Sequence, residues 1–241
     1  MTIITGGTRG IGRAIAEGFA DAGAHVVVAS RKAEACAETE AALAAAGHTA
    51  LGVPTHMGDL DEIDRLVAQT VDRFGAIDVV VNNAALGLAL PLGELTPDAW
   101  QKVFDVNVRG PVFLAQAALP HLRASSHAAV VNVLSAGVFM ALPENAMYGA
   151  TKSALLSFTR SMAAGWAPDG IRVNGLVPGT TDTDMLRAIT PERRAELVAG
   201  NMLGRAAQAS ELIGPAVFLA SDASSYMTGQ VLMADGGLAP H

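Results

Sequence analysis

The sequence is poor in cysteine and in positive charge. Its 241 residues include one cysteine, Cys36, which excludes an internal disulfide and a cysteine-rich metal site. A single cysteine is compatible with a reducing cytoplasm. Lys and Arg number 16 against 23 Asp and Glu, a net charge of −7, whereas nucleic-acid or anionic-membrane binding requires a basic excess. We therefore expect a cytoplasmic protein that binds neither nucleic acid nor a membrane.

The sequence also lacks a long apolar run and a metal-binding pattern. No basic residues precede the short apolar stretch of the N-terminal MTIITGG, as they would in a signal peptide. The weakly polar segment from Ala128 to Pro143 is shorter than the roughly 20 residues of a membrane-spanning helix. The six histidines show no ligand spacing, so we expect no catalytic metal.

Apolar residues make up 51% of the chain, and they alternate between two kinds of segment. Short runs rich in Val and Ile are separated by longer Ala-rich stretches of helical spacing. The runs are Met1–Thr5, His25–Ser30, Ala50–Val53, Ile77–Val81, Ala129–Leu134, Ile171–Val177 and Gln230–Met233. Continuous apolar strands and intervening helices predict a parallel sheet covered on both faces. With no linker or repeat, we predict one doubly wound α/β domain over residues 1–241.

A glycine-rich turn follows the first predicted strand. Residues 5–12 read TGGTRGIG and open a helix. Gly6, Gly10 and Gly12 allow a tight turn and a close approach of the backbone to a pyrophosphate, and the helix N-terminus offers free N–H groups. Such glycines arise readily by chance in this chain, and the alternative is a purely structural turn. Its place after the first strand favours dinucleotide binding.

The residues after the second strand indicate which dinucleotide is bound. An acidic residue there would accept the ribose hydroxyls of NAD(H). This chain has Ser30, then Arg31 and Lys32, and Arg9 lies in the glycine-rich turn. Two guanidinium groups that converge on a 2′-phosphate favour NADP(H) over NAD(H). The alternative is that Arg31 is only a solvated residue at a helix start.

Tyr148 and Lys152 are four residues apart in a stretch of helical periodicity, so they share one helix face. A phenol has an ordinary pKa of about 10, and a nearby ammonium lowers the pKa. The pair therefore predicts a proton-transferring tyrosine, the alternative being an exposed helix pair. Ser135 ends a predicted strand, where a hydroxyl is able to orient a substrate carbonyl. Asn107 lies in a helical pattern and predicts a kink whose carbonyl holds a water.

Together these residues resemble the short-chain dehydrogenase/reductase superfamily, in its compact form with a seven-stranded Rossmann-type domain. The matching segments are TGGTRGIG at 5–12, NNAA at 82–85, NVRG at 107–110, YGATK at 148–152, PGTTDT at 178–183 and DGG at 235–237. The resemblance implies hydride transfer between a nicotinamide and a secondary alcohol or ketone. It makes Tyr148 the acid/base, with Ser135 orienting the carbonyl, Lys152 binding the nicotinamide ribose and Asn107 keeping a relay water.

The resemblance also implies the cofactor-binding residues. They are Gly6, Thr8, Arg9, Gly10, Ile11, Gly12, Arg31, His56, Met57, Asn83, Ala84, Tyr148, Lys152, Pro178, Gly179 and Thr181. The sequence departs from the family pattern in two places. His56 replaces the usual Asp or Asn that meets the adenine amine, although imidazole is still able to hydrogen-bond adenine. Ala85 replaces the glycine that ends the NNAG motif.

The remaining expectations concern the substrate and the assembly. Leu86, Phe139, Leu142 and Asn145 flank the chemistry and predict a mostly apolar pocket, covered by a lid at about 180–202. We interpret the protein as a carbonyl reductase or alcohol dehydrogenase acting on a small molecule. The alternatives are a 3-oxoacyl carrier-protein reductase and, from another class, a non-catalytic dinucleotide-binding sensor. Long apolar helices near 98–122 and 149–166 suggest, by resemblance, a homodimer or homotetramer.

Overall fold

A parallel sheet of seven strands, in the order β3-β2-β1-β4-β5-β6-β7, forms the centre of the computed structural model, which describes residues 1–239. Pro240 and His241, the end of the predicted domain, lie outside the described residues. The strands are β1 (Thr2–Thr5), β2 (Val26–Ser30), β3 (Ala50–Pro54), β4 (Val79–Asn82), β5 (Ala129–Val133), β6 (Arg172–Pro178) and β7 (Val231–Ala234). The helices are α1 (Gly10–Asp21), α2 (Ala33–Ala45), α3 (Leu60–Phe74), α4 (Pro97–Phe104), α5 (Gly110–Ala124), α6 (Ala146–Trp166), α7 (Asp184–Arg187), α8 (Pro191–Ala199) and α9 (Ile213–Ala220).

The predicted parallel sheet is confirmed. Each of the seven apolar runs coincides with one strand to within one or two residues at either end, and every strand pair is parallel. The strand order reverses between β1 and β4, so the chain leaves the middle of the sheet in both directions. A crevice therefore opens between these two strands at their carboxyl ends.

Two apolar layers cover the two faces of the sheet, because successive side chains of a strand point to opposite faces. Ile3 belongs to one layer and packs with Leu66 of α3. Ile4 belongs to the other and packs with Ile15 of α1. The strands read as nearly continuous apolar runs because both of their faces are buried.

Helix α3 illustrates how the local sequence determines an element. The Asp59 side chain caps its N-terminus by accepting a hydrogen bond from the Glu62 backbone N–H at 3.1 Å. Ile63 and Leu66 are buried on the side that faces the sheet. Gly75 ends the helix with φ 75°, a left-handed conformation that favours glycine. Gly23 and Gly47 follow α1 and α2 with φ of 90° and 89°.

The helix expected near 98–122 is present, because helical conformation runs without a break from Pro97 to Ala124, and it contains one irregular turn. Helices α4 and α5 are joined by a π-helical turn at Asp105–Arg109. Pro111 follows this turn, and a proline has no N–H to donate to the carbonyl of Asn107 four residues earlier. The irregularity predicted at Asn107 is thus present, and it takes the form of a π turn.

Two helical glycines provide a matched test of packing. A Cβ on Gly18 of α1 would collide with the Ile213 side chain of α9, whereas a Cβ on Gly165 of α6 would meet nothing within 4 Å. We expect Gly18→Ala to lower the free energy of unfolding by about 1–3 kcal/mol through overpacking. Gly165→Ala is expected to raise it by up to about 1 kcal/mol through helix propensity. Urea denaturation measures both, and equal effects would contradict the packing argument.

Candidate active site

The predicted site residues gather along the carboxyl edge of the sheet, around the crevice between β1 and β4. The glycine-rich turn follows β1, and Asn83 follows β4. Ser135 lies just beyond β5, and Pro178 is the last residue of β6. Since the carboxyl ends of parallel strands lie at one edge, the fold brings segments distant in sequence to one side of the molecule.

The glycine-rich turn packs tightly against Asn83. Gly6 and Gly10 have φ of 65° and 54°. A Cβ on Gly6 would lie 2.8 Å from the Asn83 side-chain nitrogen, and one on Gly12 would collide with the same amide. That nitrogen donates to the Thr5 carbonyl at 2.8 Å and so holds the turn in place. The glycines are therefore required by contact as well as by conformation.

The N-terminus of α1 points out of this turn. Arg9 precedes the helix in an extended conformation and makes no side-chain capping hydrogen bond. The first N–H groups of α1 are therefore available to an anion at the turn, where Thr8 and Ile11 are half-buried. A glycine-rich turn beside a helix N-terminus without a side-chain cap fits the pyrophosphate of a dinucleotide.

Arg9 and Arg31 follow the carboxyl ends of the neighbouring strands β1 and β2, and both are exposed. The Arg9 Nη1 lies 3.7 Å from an Asp184 carboxylate oxygen of α7. The fold thus places two exposed arginines after the carboxyl ends of adjacent strands.

His56 and Met57 follow β3, as expected for an adenine-facing segment. The His56 Nδ1 accepts a hydrogen bond from the Gly58 N–H at 3.1 Å. In a neutral imidazole this leaves Nε2 with the proton, so the ring has a donor to offer. An aspartate at this position offers only acceptors. The Gly58 carbonyl accepts from Arg109 Nη2 at 2.7 Å, which fastens this segment to the π turn.

Ser135, Tyr148 and Lys152 lie together where β5 meets α6. Lys152 is buried; its Nζ donates to the Val133 carbonyl at 2.7 Å and lies 5.7 Å from the centroid of the Tyr148 ring. The Ser135 hydroxyl accepts from the Gly137 N–H at 3.1 Å and interacts with the Tyr148 phenol. A hydroxyl, a phenol and an ammonium therefore meet at one point.

Burial governs the protonation of this cluster. It lowers the pKa of Lys152 to about 8. Burial also raises the pKa of the Tyr148 phenol above its ordinary value, and the Ser135 hydroxyl acts in the opposite direction. The net shift for Tyr148 is opposite to the lowering by ammonium that the sequence predicts, so that expectation is wrong for this structure. Tyr148 is protonated near neutral pH and is able to donate its proton.

Asn107 connects the π turn to two other parts of the site. Its side-chain oxygen accepts from the Leu86 N–H at 2.7 Å, and its nitrogen donates to the Leu86 carbonyl at 3.0 Å. The same nitrogen donates to the Thr151 hydroxyl at 3.1 Å, and that hydroxyl donates to the Tyr148 carbonyl at 2.7 Å. Asn107 thus fixes the loop after β4 against the helix that carries the tyrosine.

Pro178, Gly179 and Thr181 form the segment expected at the nicotinamide amide. Pro178 is buried at the end of β6, and the Gly179 N–H donates to the Ala234 carbonyl of β7 at 3.2 Å. A Cβ on Gly179 would collide with the Asp235 backbone. The Thr181 hydroxyl donates to the Gly179 carbonyl at 3.2 Å, so the segment curls back on itself at the sheet edge.

The segment 180–202 contains α7 and α8 and lies beside the loop after β4 and the residues just before α6. Met185 of α7 lies beside Gly87 of the loop after β4, with its terminal carbon 3.5 Å from the position of a Cβ on that glycine. The Arg193 guanidinium of α8 lies 3.8 Å from a Glu144 carboxylate oxygen, just before α6. Asn145, the next residue, has a buried side-chain oxygen with no hydrogen-bond partner.

Sequence reasoning missed several residues that hold this site. The Thr5 hydroxyl accepts from the N–H groups of both Asn83 and Ala84 at 3.0 Å. Thr151, Arg109 and the Val133 carbonyl were also missed. Thr151 lies inside the Tyr-x3-Lys motif and Arg109 inside the NVRG run, so position offered a signal for these two. A backbone carbonyl offers none.

The described residues show two further features of the chain. Within residues 1–239, no helix is long and apolar enough to cross a membrane. In the same part of the chain, no three His, Cys, Asp or Glu side chains are grouped as a metal ion would require.

Comparison with known proteins identifies the family. A family described as "Enoyl-(Acyl carrier protein) reductase" matches residues 6–239. Dehydrogenase/reductase SDR family member 4 of Homo sapiens is 34% identical over 240 residues, covering 98% of this chain and 86% of its own. The chain belongs to the short-chain dehydrogenase/reductase family of oxidoreductases, which confirms the resemblance seen in the sequence.

Two other relatives carry more specific names. Cis-4-hydroxycyclohexanecarboxylate dehydrogenase of Sinomonas cyclohexanicum is 36% identical over 238 residues, 98% of this chain and 95% of its own. The crystal structure of a gluconate 5-dehydrogenase from Burkholderia cenocepacia J2315, in complex with NADP and tartrate, is similar with a TM-score of 0.93. It is 36% identical and covers 98% of this chain and 94% of that one.

The buried ammonium predicts a pH dependence of stability. The pKa of Lys152 is about 8 in the folded protein and about 10.4 in an unfolded chain. Between these pH values the unfolded chain binds one more proton, so the free energy of unfolding rises with pH. Relative to Lys152→Met, we expect wild type to gain up to about 3 kcal/mol across this window. Urea denaturation from pH 7 to roughly pH 10 measures this gain.

The exposed Lys102 of α4 provides the matched control. The difference between wild type and Lys102→Met should stay nearly constant over the same pH range. A flat difference for Lys152→Met as well would mean that the Lys152 ammonium is not destabilised by burial.

Proposed function

We propose that this protein transfers a hydride between NADP(H) and a ketone or secondary alcohol, with Tyr148 as the acid/base. The observation that carries the proposal is the cluster of Ser135, Tyr148 and Lys152 at the carboxyl edge of the sheet. A protonated phenol, a hydroxyl donor and a buried ammonium are the groups that proton transfer to a carbonyl oxygen requires. A sensor that only binds a dinucleotide has no need of all three.

NADP(H) is the proposed cofactor. The glycine-rich turn and the N-terminus of α1 would hold the pyrophosphate, and Arg9 and Arg31 the 2′-phosphate. Asn83 and Ala84 would line the adenosine ribose, and the segment from Pro178 to Thr181 would hold the nicotinamide amide. Once bound, the nicotinamide supplies or accepts the hydride. The NADP complex of the Burkholderia relative supports this choice over NAD(H).

Ser135, Tyr148 and Lys152 would position the substrate carbonyl and supply the proton that its oxygen receives. In the direction of reduction, the Ser135 hydroxyl donates a hydrogen bond to the carbonyl oxygen and positions it. The Tyr148 phenol then gives its proton to that oxygen, and the Lys152 ammonium stabilises the phenolate that remains. A water on the Asn107 carbonyl would return the proton, because Pro111 has no N–H to occupy that carbonyl.

We propose an apolar substrate pocket under a lid formed by residues 180–202. Leu86, Phe139 and Leu142 are half-buried around the crevice, and Met185 of the lid meets the loop after β4. Such a lid would exclude water from the reacting carbonyl. The pocket would accept a small ring or chain that carries one ketone or secondary alcohol.

A carboxylated alcohol is the second candidate substrate. The Sinomonas relative is named for a hydroxylated carboxylate, cis-4-hydroxycyclohexanecarboxylate. The Burkholderia relative is named for gluconate, and its structure contains tartrate. The 3-oxoacyl carrier-protein alternative has less support. An acidic carrier needs free basic charge beside the pocket. Arg123, in the last turn of α5, lies at the opposite, amino edge of the sheet and is paired with Asp169 at 2.8 Å.

The two tyrosines of the chain provide a matched test of the chemistry. We expect Tyr148→Phe to lower kcat for ketone reduction by about 10²–10⁴-fold, because the proton donor is lost, with the NADPH dissociation constant unchanged. Tyr226→Phe, at a fully exposed tyrosine, should leave both unchanged. Steady-state kinetics and fluorescence titration measure the two quantities. Retained turnover in Tyr148→Phe would contradict the assigned role.

The same assay separates the candidate substrates. Cyclohexanone and 4-oxocyclohexanecarboxylate differ only in the carboxylate, so a higher kcat/KM for the former supports the apolar pocket. A higher value for the latter supports the carboxylated alcohols instead. Faster turnover of β-ketoacyl thioesters than of either ketone would favour the carrier-protein reductase.

We also propose that the protein is a homodimer or homotetramer assembled through α4, α5 and α6. Trp100, Phe113 and Phe158 lie on these three helices and are 48%, 39% and 42% exposed. Large exposed apolar side chains on neighbouring helices are typical of a contact between subunits.

A charge on α6 tests this assembly. We expect Phe158→Asp to lower the mass measured by analytical ultracentrifugation at micromolar concentration, because a carboxylate would be buried in the contact. Leu92→Asp, at a 65% exposed loop residue outside these helices, serves as the control and should keep the wild-type mass. A monomeric wild-type protein would refute the proposed assembly.

A further inference from the structure

The base of the lid rests on the glycine-rich turn. The Arg9 Nη1 of the turn and a carboxylate oxygen of Asp184, the first residue of α7, are 3.7 Å apart. The neighbouring Thr183 methyl lies 3.4 Å from the position of a Cβ on Gly10. The base of the lid therefore lies beside the turn and is joined to it by this ion pair.

This ion pair is exposed and easily exchanged. The Arg9 and Asp184 side chains are 74% and 65% exposed. Water and salt screen such a pair, so it stabilises the lid only weakly. A ligand that carries a stronger negative charge to Arg9 is able to replace Asp184. Next to the pair, a cleft of about 360 Å³ separates α1 from the base of the lid.

The other charges near the cleft are already paired. Arg13 of α1 contacts Glu17 at 2.6 Å, and Arg187 of α7 contacts Asp182 at 2.9 Å. Arg9 is therefore the guanidinium of this region with the weakest partner, since its ion-pair distance is the longest of the three. An incoming phosphate would compete with Asp184 alone for Arg9.

We propose that Asp184 determines cofactor specificity by competing with the 2′-phosphate for Arg9. When a 2′-phosphorylated adenosine binds Arg9, Asp184 loses this ion pair and keeps only its interaction with Arg187 of the lid itself, so the base of the lid is released from the turn. Asp184 thereby weakens the binding of the phosphorylated dinucleotide and couples its arrival to the position of the lid. This inference rests on the proposed NADP(H) cofactor.

Adenosine phosphates without nicotinamide test the competition directly. Isothermal titration calorimetry gives the dissociation constants of 2′,5′-ADP and 5′-AMP for wild type, Asp184→Asn, Arg9→Ala and the double variant. We expect Asp184→Asn to bind 2′,5′-ADP about fivefold more tightly, the size that an exposed ion pair reaches, with 5′-AMP unchanged. In the Arg9→Ala background, Asp184→Asn should have no effect.

Glu192→Gln is the matched control, because Glu192 is an exposed lid carboxylate in the first turn of α8. It should bind 2′,5′-ADP as wild type does. An equal gain in Glu192→Gln would mean that net charge alone acts, and this would overturn the inference. So would unchanged binding in Asp184→Asn, or a gain that persists without Arg9.

The calorimetry also separates this inference from the proposed cofactor. If wild type binds 5′-AMP as tightly as 2′,5′-ADP, it does not recognise the 2′-phosphate, and both proposals fail. Wild type that prefers 2′,5′-ADP while Asp184→Asn binds it unchanged retains the NADP(H) proposal and loses only the role of Asp184.

Trypsin reports on the lid itself, because Arg187, Arg193 and Arg194 lie within it. We expect 2′,5′-ADP to speed cleavage in the lid of wild type and 5′-AMP to leave it unchanged. Arg9→Ala should be cleaved faster than wild type without either ligand, by up to about fivefold, because it lacks the ion pair. Cleavage that 2′,5′-ADP does not speed would overturn the coupling between phosphate and lid.

Discussion

The hydrogen bond from the Lys152 ammonium to the Val133 carbonyl is the interaction on which the site depends. A buried charge is costly without a partner, and this carbonyl, at 2.7 Å, is the acceptor at the end of β5. The bond joins α6 to β5. Tyr148 lies on α6, and Ser135 follows β5. This contact therefore holds the helix that carries Tyr148 against the strand that leads to Ser135.

A second set of bonds fixes the β4 side of the crevice against β5 and α6. Asn107 in the π turn bonds the backbone of Leu86 on one side and Thr151 on the other. Beneath it, Asn82 donates to Asn132 at 2.9 Å. These amides are buried and bonded across separate elements, so a shift of one element would break several hydrogen bonds at once.

The sequence predicts the sheet well because buried parallel strands are apolar on both faces, and each of the seven runs coincides closely with one. Spacing also predicts the positions of Tyr148, Lys152 and Ser135, since all three lie near the end of β5 or on the helix that follows. The pKa of Tyr148 was predicted in the wrong direction, because burial depends on what packs around the ring. The pair of Arg9 and Asp184 was missed because it joins residues 175 positions apart.

The pairing of β1 with β4 has a consequence for synthesis of the chain. Thr2 pairs with Val79, so the two strands that border the crevice are separated by most of the first third of the chain. Contacts between such distant segments form late, because loop-closure entropy opposes them. A nascent chain that has emerged only through β3 has no crevice in which a nucleotide is able to lodge. A bound nucleotide is therefore able to assist folding only after β4 has emerged from the ribosome.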